Sequence, residues 1–227
     1  MESFPACPAA NKYIHDVVCA RLSQQVDTSY LDSLVQCVKS YSHFTIVTLN
    51  HDCLLDDKLK AEGVTVCDGF KKPQTGLRVW EHDHILDRRE SVRLVHLHGS
   101  VNWSWLNDRI VYGFHRDRHP LVMIGTTTKP ADYFEFIYYD MMRAFDLSLR
   151  QSDHLLVCGY GFMDRIVNER LREWTKANEK SRISVVDNRP RKDFDAMGVI
   201  ANKLVEYSGN GVDHVEWNQL VANLTKT

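Results

Sequence analysis

The sequence has no closely spaced cysteines, no long apolar run and no glycine before Phe44. Its six scattered cysteines form no CxxC or CxxH pair, which argues against a zinc ribbon and a redox dithiol. Dispersed thiols, in a chain whose first ten residues do not resemble a secretion signal, are typical of reduced cytoplasmic proteins. No apolar segment approaches the roughly 20 residues that span a bilayer. We therefore expect a cytoplasmic protein without a membrane segment.

An excess of charge of one sign is also lacking. The formal net charge is -2 over 227 residues, so no overall basic field indicates nucleic acid as a partner. The cluster Arg189, Arg191 and Lys192 is more typical of a solvated loop. With 44% apolar and 26% charged residues, the composition is that of one globular domain. We predict a single domain over 1–227, divided into a helical segment 1–43, a Rossmann-like core 44–207 and a carboxyl-terminal segment 208–227.

Periodicity predicts an α/β fold. Apolar residues at helical spacing indicate helices over 11–26, from near Asp27–Thr28 onward, over 143–150 and over 166–176. Short apolar, β-branched runs indicate buried parallel strands, at 44–49, 92–97, 121–124, 154–158 and 183–186. Strands that alternate with helices predict a parallel sheet with helices on both faces and a ligand crevice at the carboxyl ends of the strands. The stretch 68–90 reads as a surface excursion or a pair of edge strands.

Polar residues follow two of these strands. Thr48, Asn50 and Asp52 come at the end of the first, where the amide could orient a water or a ribose hydroxyl and the carboxylate could accept from a hydroxyl. Asn50 and Asp52 could equally be turn formers and a helix cap. His98 ends the next strand beside Gly99, which would let a ligand approach closely, and suits a general base. A hydrogen-bonded strand-end histidine is the simpler alternative, and it is our interpretation of His96.

A glycine-containing turn and an acidic strand end follow later in the chain. Gly159, Tyr160 and Gly161 lie between a strand and a helix, where backbone N–H groups suit a phosphate. Asp164 could contribute there or could cap the helix. Asp187 and Asn188 end the next strand and could hold an adenosine ribose, or form a plain turn before Pro190.

Taken in order, these segments resemble a known family. Thr48-Leu49-Asn50-His51-Asp52 resembles the Thr-x-Asn-x-Asp segment of sirtuin-like NAD-binding domains, and Leu97-His98-Gly99-Ser100 resembles their His-Gly element. The segments 159–164 and 185–188 resemble their phosphate and ribose loop and the strand that meets the adenosine. The resemblance implies a Rossmann-like fold that binds NAD. It assigns Asn50, Asp52 and His98 to catalysis, and it assigns the other matching positions to NAD binding, namely Thr48, Gly99, Gly159, Tyr160, Gly161, Asp164, Asp187 and Asn188.

Two departures from the family pattern narrow this expectation. No cysteine lies between His98 and Cys158, so the zinc module of the sirtuin deacylases is not expected. The chain instead resembles the zinc-free bacterial branch, whose members hydrolyse NAD, often in antiphage defence. The glycine-rich strand and loop that open such domains are not found, so we expect a homo-oligomer or a partner chain to complete the sheet. The main hypothesis is hydrolysis of NAD to nicotinamide and ADP-ribose; the alternative is a non-catalytic module that binds NAD, ADP-ribose or a protein.

Two further patterns have competing interpretations. His82-Asp83-His84 and His96-x-His98 resemble paired metal ligands, but the chain is short for an eight-stranded barrel and no acidic ligand cluster follows. We expect no metal. The aromatic residues between Trp103 and Phe114 could flank a nicotinamide or adenine ring, although a packed hairpin is the more common arrangement.

Overall fold

A computed structural model describes residues 8–22, 24, 26–72, 77–87, 92–113, 120–123, 136–190, 201–208, 215 and 217–224. The chain divides into two compact units. The first comprises residues 1–27 and 43–142, and the second comprises 28–42 and 143–227. Among the described residues, no helix combines the length and apolar character that crossing a bilayer requires.

A parallel sheet lies in the first unit. Strands β1 (Phe44–Thr48) and β2 (Val66–Cys67) both pair in parallel with β5 (Val92–His96), which is the central strand. All of β5 is buried, whereas every residue of β1 is only half-buried. Helix α3 (Leu54–Ala61) follows β1. The parallel strands predicted at 44–49 and 92–97 are therefore present, each one residue shorter than expected, but the predicted burial holds for β5 and not for β1.

A five-stranded antiparallel sheet also belongs to the first unit. Its order is β3 (Phe70–Lys71), β4 (Arg78–Trp80), β7 (Arg109–Tyr112), β6 (Gly99–Leu106) and β8 (Pro120–Val122). The run at 121–124 was expected to be a buried parallel strand, and this is wrong, because β8 is an edge strand antiparallel to β6. A short apolar run fits either kind of sheet, so periodicity alone could not decide. The stretch 68–90 contributes β3, β4 and a 3₁₀ turn at His84–Leu86.

The packed hairpin expected from the aromatic residues is confirmed for its described part. Strands β6 and β7 pair with Trp103 opposite Tyr112, and Trp103 is fully buried. Asn107 and Asp108 form the connection, with φ of 47° and 58°. Two such left-handed residues match the twist of the flanking strands. Phe114 lies outside the described residues.

The second unit contains another parallel sheet. Strand β10 (Arg182–Val186) lies between β9 (His154–Cys158) and β11 (Leu204–Ser208), and all three run parallel. Helix α5 (Arg165–Ala177) connects β9 to β10 and begins and ends within one residue of the prediction. Helix α4 (Phe136–Arg150) starts seven residues before the predicted helix.

The remaining helices differ from the sequence pattern mainly at their ends. Helix α1 (Pro8–Leu22) starts earlier than predicted, with proline at its first position, where the missing N–H leaves no bond unmade. A 3₁₀ turn at Ser29–Leu31 precedes α2 (Asp32–Lys39), so this helix begins later than Asp27–Thr28. Helix α6 (Trp217–Leu224) packs against α2. Helices connecting parallel strands establish the predicted α/β class.

Candidate functional site

The carboxyl ends of β1 and β5 lie side by side in the first unit. The N–H of Leu97 donates to the carbonyl of Thr48 at 3.0 Å, and the N–H of Val101 donates to that of His51 at 2.9 Å. A third contact joins Cys53 Sγ to Ser100 Oγ at 3.3 Å. The two segments expected to carry catalysis, 48–52 and 98–99, are thereby brought together.

Asn50 and Asp52 occupy the turn between β1 and α3. The N–H of Asn50 donates to Oγ1 of Thr48 at 3.0 Å, so the threonine hydroxyl orders this turn. Asn50 itself is exposed. Oδ1 of Asp52 accepts from the N–H of Leu54, the first residue of α3, at 3.1 Å. Asp52 therefore forms a side-chain turn just before α3, whose N-cap position is Cys53, and this turn uses one of the two carboxylate oxygens.

His98 is nearly closed to solvent, with 5% of its surface exposed. Its ring centroid lies 5.9 Å from that of His51, and its carbonyl accepts from the N–H of Met123 at 2.9 Å. Gly99 has φ of +78°, and a Cβ there would lie 2.0 Å from the carbonyl oxygen of Leu121. A close protein contact therefore explains this glycine without any ligand.

Buried ionisable groups lie beside these two segments. Nε2 of His96 lies 3.0 Å from Oδ2 of Asp56, as expected for a structural histidine. Burial lowers the pKa of His96, but the charge and hydrogen bond of Asp56 outweigh it, so the net pKa is raised. Burial also raises the pKa of the Cys53 thiol to about 12. Cys53 is therefore a neutral packing residue at neutral pH and not a nucleophile.

The loop between β9 and α5 carries the glycine-containing turn of the second unit. Gly159 adopts φ of +60° and donates its N–H to the Val186 carbonyl at 3.1 Å. Oδ1 of Asp164 accepts from the N–H groups of Ile166 and Val167 at 2.9 and 3.1 Å, so Asp164 is the helix cap that the sequence also allowed. Gly161 is exposed beside this helix end, where backbone dipoles favour an anion.

Side-chain hydrogen bonds hold this loop in shape. Oη of Tyr160 donates to Oδ1 of Asn168 at 2.9 Å, and Nδ2 of Asn168 donates to the carbonyl of Phe162 at 2.7 Å. The Tyr160 and Phe162 rings lie 4.6 Å apart. Phe162 itself has φ of +54°, which is uncommon for a residue with a side chain. The loop is thus tied to the first turns of α5.

Arg189 belongs to the basic cluster that the sequence pattern assigns to a solvated loop, and it lies in this region. Its guanidinium donates to both carboxylate oxygens of Asp187, at 2.9 and 2.7 Å, and also to the Tyr160 carbonyl at 2.8 Å. These side-chain bonds hold the pKa of Asp187 below its usual range. Asn188 is exposed beside this ion pair. The acidic strand end is therefore joined to the Tyr160 loop by one arginine, a pairing that only geometry could reveal.

The histidine pairs do not form a metal centre among the described residues, where no three His, Cys, Asp or Glu side chains are grouped. His96 contacts Asp56, and His82 contacts Asp140, each at hydrogen-bond distance. Two sets of predicted residues remain, each complete within its own unit. One set is Thr48, Asn50, Asp52, His98 and Gly99, and the other is Gly159, Tyr160, Gly161, Asp164, Asp187 and Asn188.

Comparison with known proteins identifies a family. A family model described as SIR2-like domain matches residues 45–208, which is well over half of the chain and includes every residue of both sets. No curated protein matches the chain. The NAD-binding family that the motifs resemble is thus matched by an independent model. The chain belongs to the SIR2-like domain family.

Proposed function

We propose that the protein binds NAD and hydrolyses its nicotinamide–ribose bond. The observation that carries the proposal is the apposition of the 48–52 and 97–101 segments, which places Asn50 and His98 at adjoining strand ends. Ligands of open α/β sheets bind at the carboxyl ends of the strands. A polar amide and an imidazole at one such end are suited to holding a ribose and a water.

The reaction requires little covalent participation by the protein. Water attacks the anomeric carbon, the bond to the nicotinamide nitrogen breaks, and the products are nicotinamide, ADP-ribose and a proton. The sugar passes through an oxocarbenium-like state, as in glycoside hydrolysis. We assign Asn50 to orienting the water or ribose, His98 to accepting the proton, and Asp52 to the nicotinamide side or the developing positive charge. The burial of His98 supports this assignment because it limits competing bulk water.

We assign the other residues to binding the remainder of NAD. Thr48 and Gly99 would line the ribose side, where Thr48 orders the turn of Asn50. The N–H groups around Gly159, Tyr160 and Gly161, with the α5 terminus capped by Asp164, suit the diphosphate. Asp187 and Asn188 would meet the adenosine ribose.

The direct test is release of nicotinamide from NAD by the purified full chain. We expect turnover in the wild type and its loss, by about a hundredfold or more, in Asn50→Ala and His98→Ala. Matched controls are Asn218→Ala on α6 and His43→Ala, which is exposed at the opposite end of β1. Unchanged turnover in the two site variants would refute the assignment.

A non-catalytic NAD or ADP-ribose module is the second candidate. The Asp187–Arg189 pair favours it, because a carboxylate engaged on both oxygens must exchange partners before it can bind a ribose. Calorimetry with NAD and ADP-ribose, beside the nicotinamide assay, separates the candidates. Saturable binding without turnover supports the module, whereas turnover excludes it.

We further propose that another chain or a second copy covers the outer edge of β1. Among the described strands, β1 pairs with β5 alone, and its residues are only half-buried. Parallel strands are normally enclosed, and an open edge readily accepts another strand. Light scattering during the activity assay tests this proposal. A stable monomer with full turnover would exclude it.

The cellular role that we propose is depletion of cytoplasmic NAD in antiphage defence. Two observations support this proposal, namely the family membership and the scattered cysteines, which match the zinc-free branch. Expression in bacteria with and without phage challenge, with cellular NAD measured over time, tests it. We expect NAD to fall on infection with the wild type and not with His98→Ala.

A further inference from the structure

A cavity of about 710 Å³ lies on the antiparallel sheet of the first unit. Strands β3, β4, β6 and β7 and the start of α4 contribute its walls. None of Asn50, Asp52 and His98 lines it. This volume falls within the range of small-molecule sites. We call it the β3–α4 cavity.

Aromatic side chains form one side of the β3–α4 cavity. Phe136, Tyr139 and Trp105 all line it and are unusually exposed, with Phe136 at 75%. The Trp105 and Phe136 rings lie 6.0 Å apart, edge to face. Phe136 also has φ of +31°, a strained conformation for a residue with a side chain. Exposed aromatic faces are well suited to stacking on a flat heterocycle.

A histidine–carboxylate pair supplies a hydrogen-bond acceptor. Nδ1 of His82 lies 2.6 Å from Oδ2 of Asp140, which also accepts from Nε1 of Trp80 at 3.3 Å. A carboxylate oxygen accepts, so Nδ1 is the ring nitrogen that donates to Asp140, and Nε2 is left at the other side of the ring, 4.0 Å from Oδ1 of Asp83. The His82 side chain is 56% exposed.

The other oxygen of Asp140 has no partner. Asp140 is buried, and its Oδ1 has no hydrogen-bond donor among the described residues. A buried acceptor without a donor is unfavourable. Oδ1 is itself closed to solvent, so a ligand reaches this pair through the exposed His82 ring, and an exocyclic amine on a heterocycle carries the N–H groups that Nε2 of His82 can accept.

Cationic side chains lie along the same wall. Lys71, Lys72 and Arg109 line the cavity, together with the carboxylates of Glu81 and Asp108. Lys71 is paired with Glu81 at 2.5 Å. Beyond that pair, the lining contains two cationic side chains, Lys72 and Arg109, and two carboxylates, Asp108 and Asp140. Of these groups the guanidinium of Arg109 is the one suited to bidentate contact with phosphate.

We infer that the β3–α4 cavity binds a purine nucleoside monophosphate with an amino-bearing base, at a site separate from the one proposed for NAD. The base stacks on Phe136 and Trp105, and its exocyclic amine donates to the His82–Asp140 pair. The phosphate contacts Arg109 and Lys72. The ligand is bound and not transformed, so no bond is made or broken.

Calorimetric titration of the full chain with AMP and with GMP tests this inference. We expect saturable binding that weakens about tenfold or more in His82→Ala, Phe136→Ala and Arg109→Ala, since each removes one class of contact. Matched controls are His43→Ala, Tyr13→Ala and Arg172→Ala, which change exposed side chains outside the cavity lining. They should bind as the wild type does.

A second comparison changes the ligand and leaves the protein intact. Purine riboside monophosphate lacks the amine, and we expect it to bind at least about tenfold more weakly than AMP, because the acceptor of the pair stays unmatched. Equal affinity would overturn the role of His82. The comparison needs no variant to fold.

The outcome also separates this site from the proposed NAD site. Nicotinamide release should persist in the three cavity variants, and AMP binding should persist in Asn50→Ala. If AMP affinity falls in Asn50→Ala and is unchanged in Phe136→Ala, the nucleotide occupies the NAD site and the inference is wrong. The absence of saturable AMP and GMP binding at millimolar concentration also overturns it, whatever the result of the nicotinamide assay.

Discussion

Nε2 of His96 lies 3.0 Å from Oδ2 of Asp56, and this pair links the last residue of β5 to the first turn of α3. Both side chains are almost closed to water. Removing one member of a buried ion pair leaves the charge of the other member buried without an opposite charge beside it. We expect Asp56→Asn to lower the free energy of unfolding by about 3 kcal/mol at pH 6, measured by urea denaturation.

The same pair gives stability a defined pH dependence. The pKa of His96 is raised in the folded state, so protonation of His96 stabilises the fold. This stabilisation is fully present below the pKa of an unfolded histidine, which is about 6.5. This contribution is lost as the pH rises through the raised folded value. The difference between wild type and Asp56→Asn should therefore be larger at pH 6 than at pH 9. An equal difference at both would contradict the charged pair.

Two glycines with positive φ allow a matched comparison of steric demand. Gly99→Ala should cost at least about 3 kcal/mol, because the new Cβ would overlap the Leu121 carbonyl in addition to the backbone strain. Gly159→Ala has nothing within 4 Å of the new Cβ and should cost about 1 kcal/mol from φ alone. Thermal unfolding of the two variants measures the difference. Similar melting temperatures would contradict the close contact at Gly99.

Asp164 caps α5 through two backbone N–H groups. Asp164→Ala should therefore destabilise the protein by about 1 kcal/mol, and Asp164→Asn should restore most of this because its side-chain oxygen still accepts. Denaturant midpoints of the three proteins provide the measurement. If alanine and asparagine are equally harmful, the carboxylate has a role other than capping.

Arg189 controls the ionisation of Asp187. In Arg189→Ala the pKa of Asp187 should rise toward its usual range, because the side-chain bonds that lower it are gone. A ¹³C NMR titration of the aspartate carboxyl groups detects the shift, with Arg172→Ala on the exposed face of α5 as the control. An unchanged Asp187 titration would mean that the ion pair does not persist in solution.

The sequence predicted the strands whose apolar character is continuous. Strands β1, β5, β9 and β10 are runs of five residues that are mainly apolar or β-branched, so composition alone marks them. Strands β2 and β3 have two residues each and are defined by hydrogen bonds to distant partners, which no local pattern encodes. Strand β8 was assigned to the wrong sheet for the same reason.

The sequence proposed candidate site residues but could not predict their contacts. Motif order singled out Asn50, His98 and Asp187, and the family match includes all three. The Arg189–Asp187 pair and the contact that requires Gly99 depend on distances between chain segments. The β3–α4 cavity was unpredictable because its residues come from four strands and a helix.

Only Leu97 and His98 separate β5 of the parallel sheet from β6 of the antiparallel sheet. Such a short connection leaves few backbone torsions through which the second sheet could pivot against the first. Those torsions belong to Leu97 and His98, so the orientation of the His98 ring changes with any rotation between the two sheets. A spectroscopic label sensitive to the His98 ring would therefore report on the geometry of the antiparallel sheet as well as on binding at the proposed site.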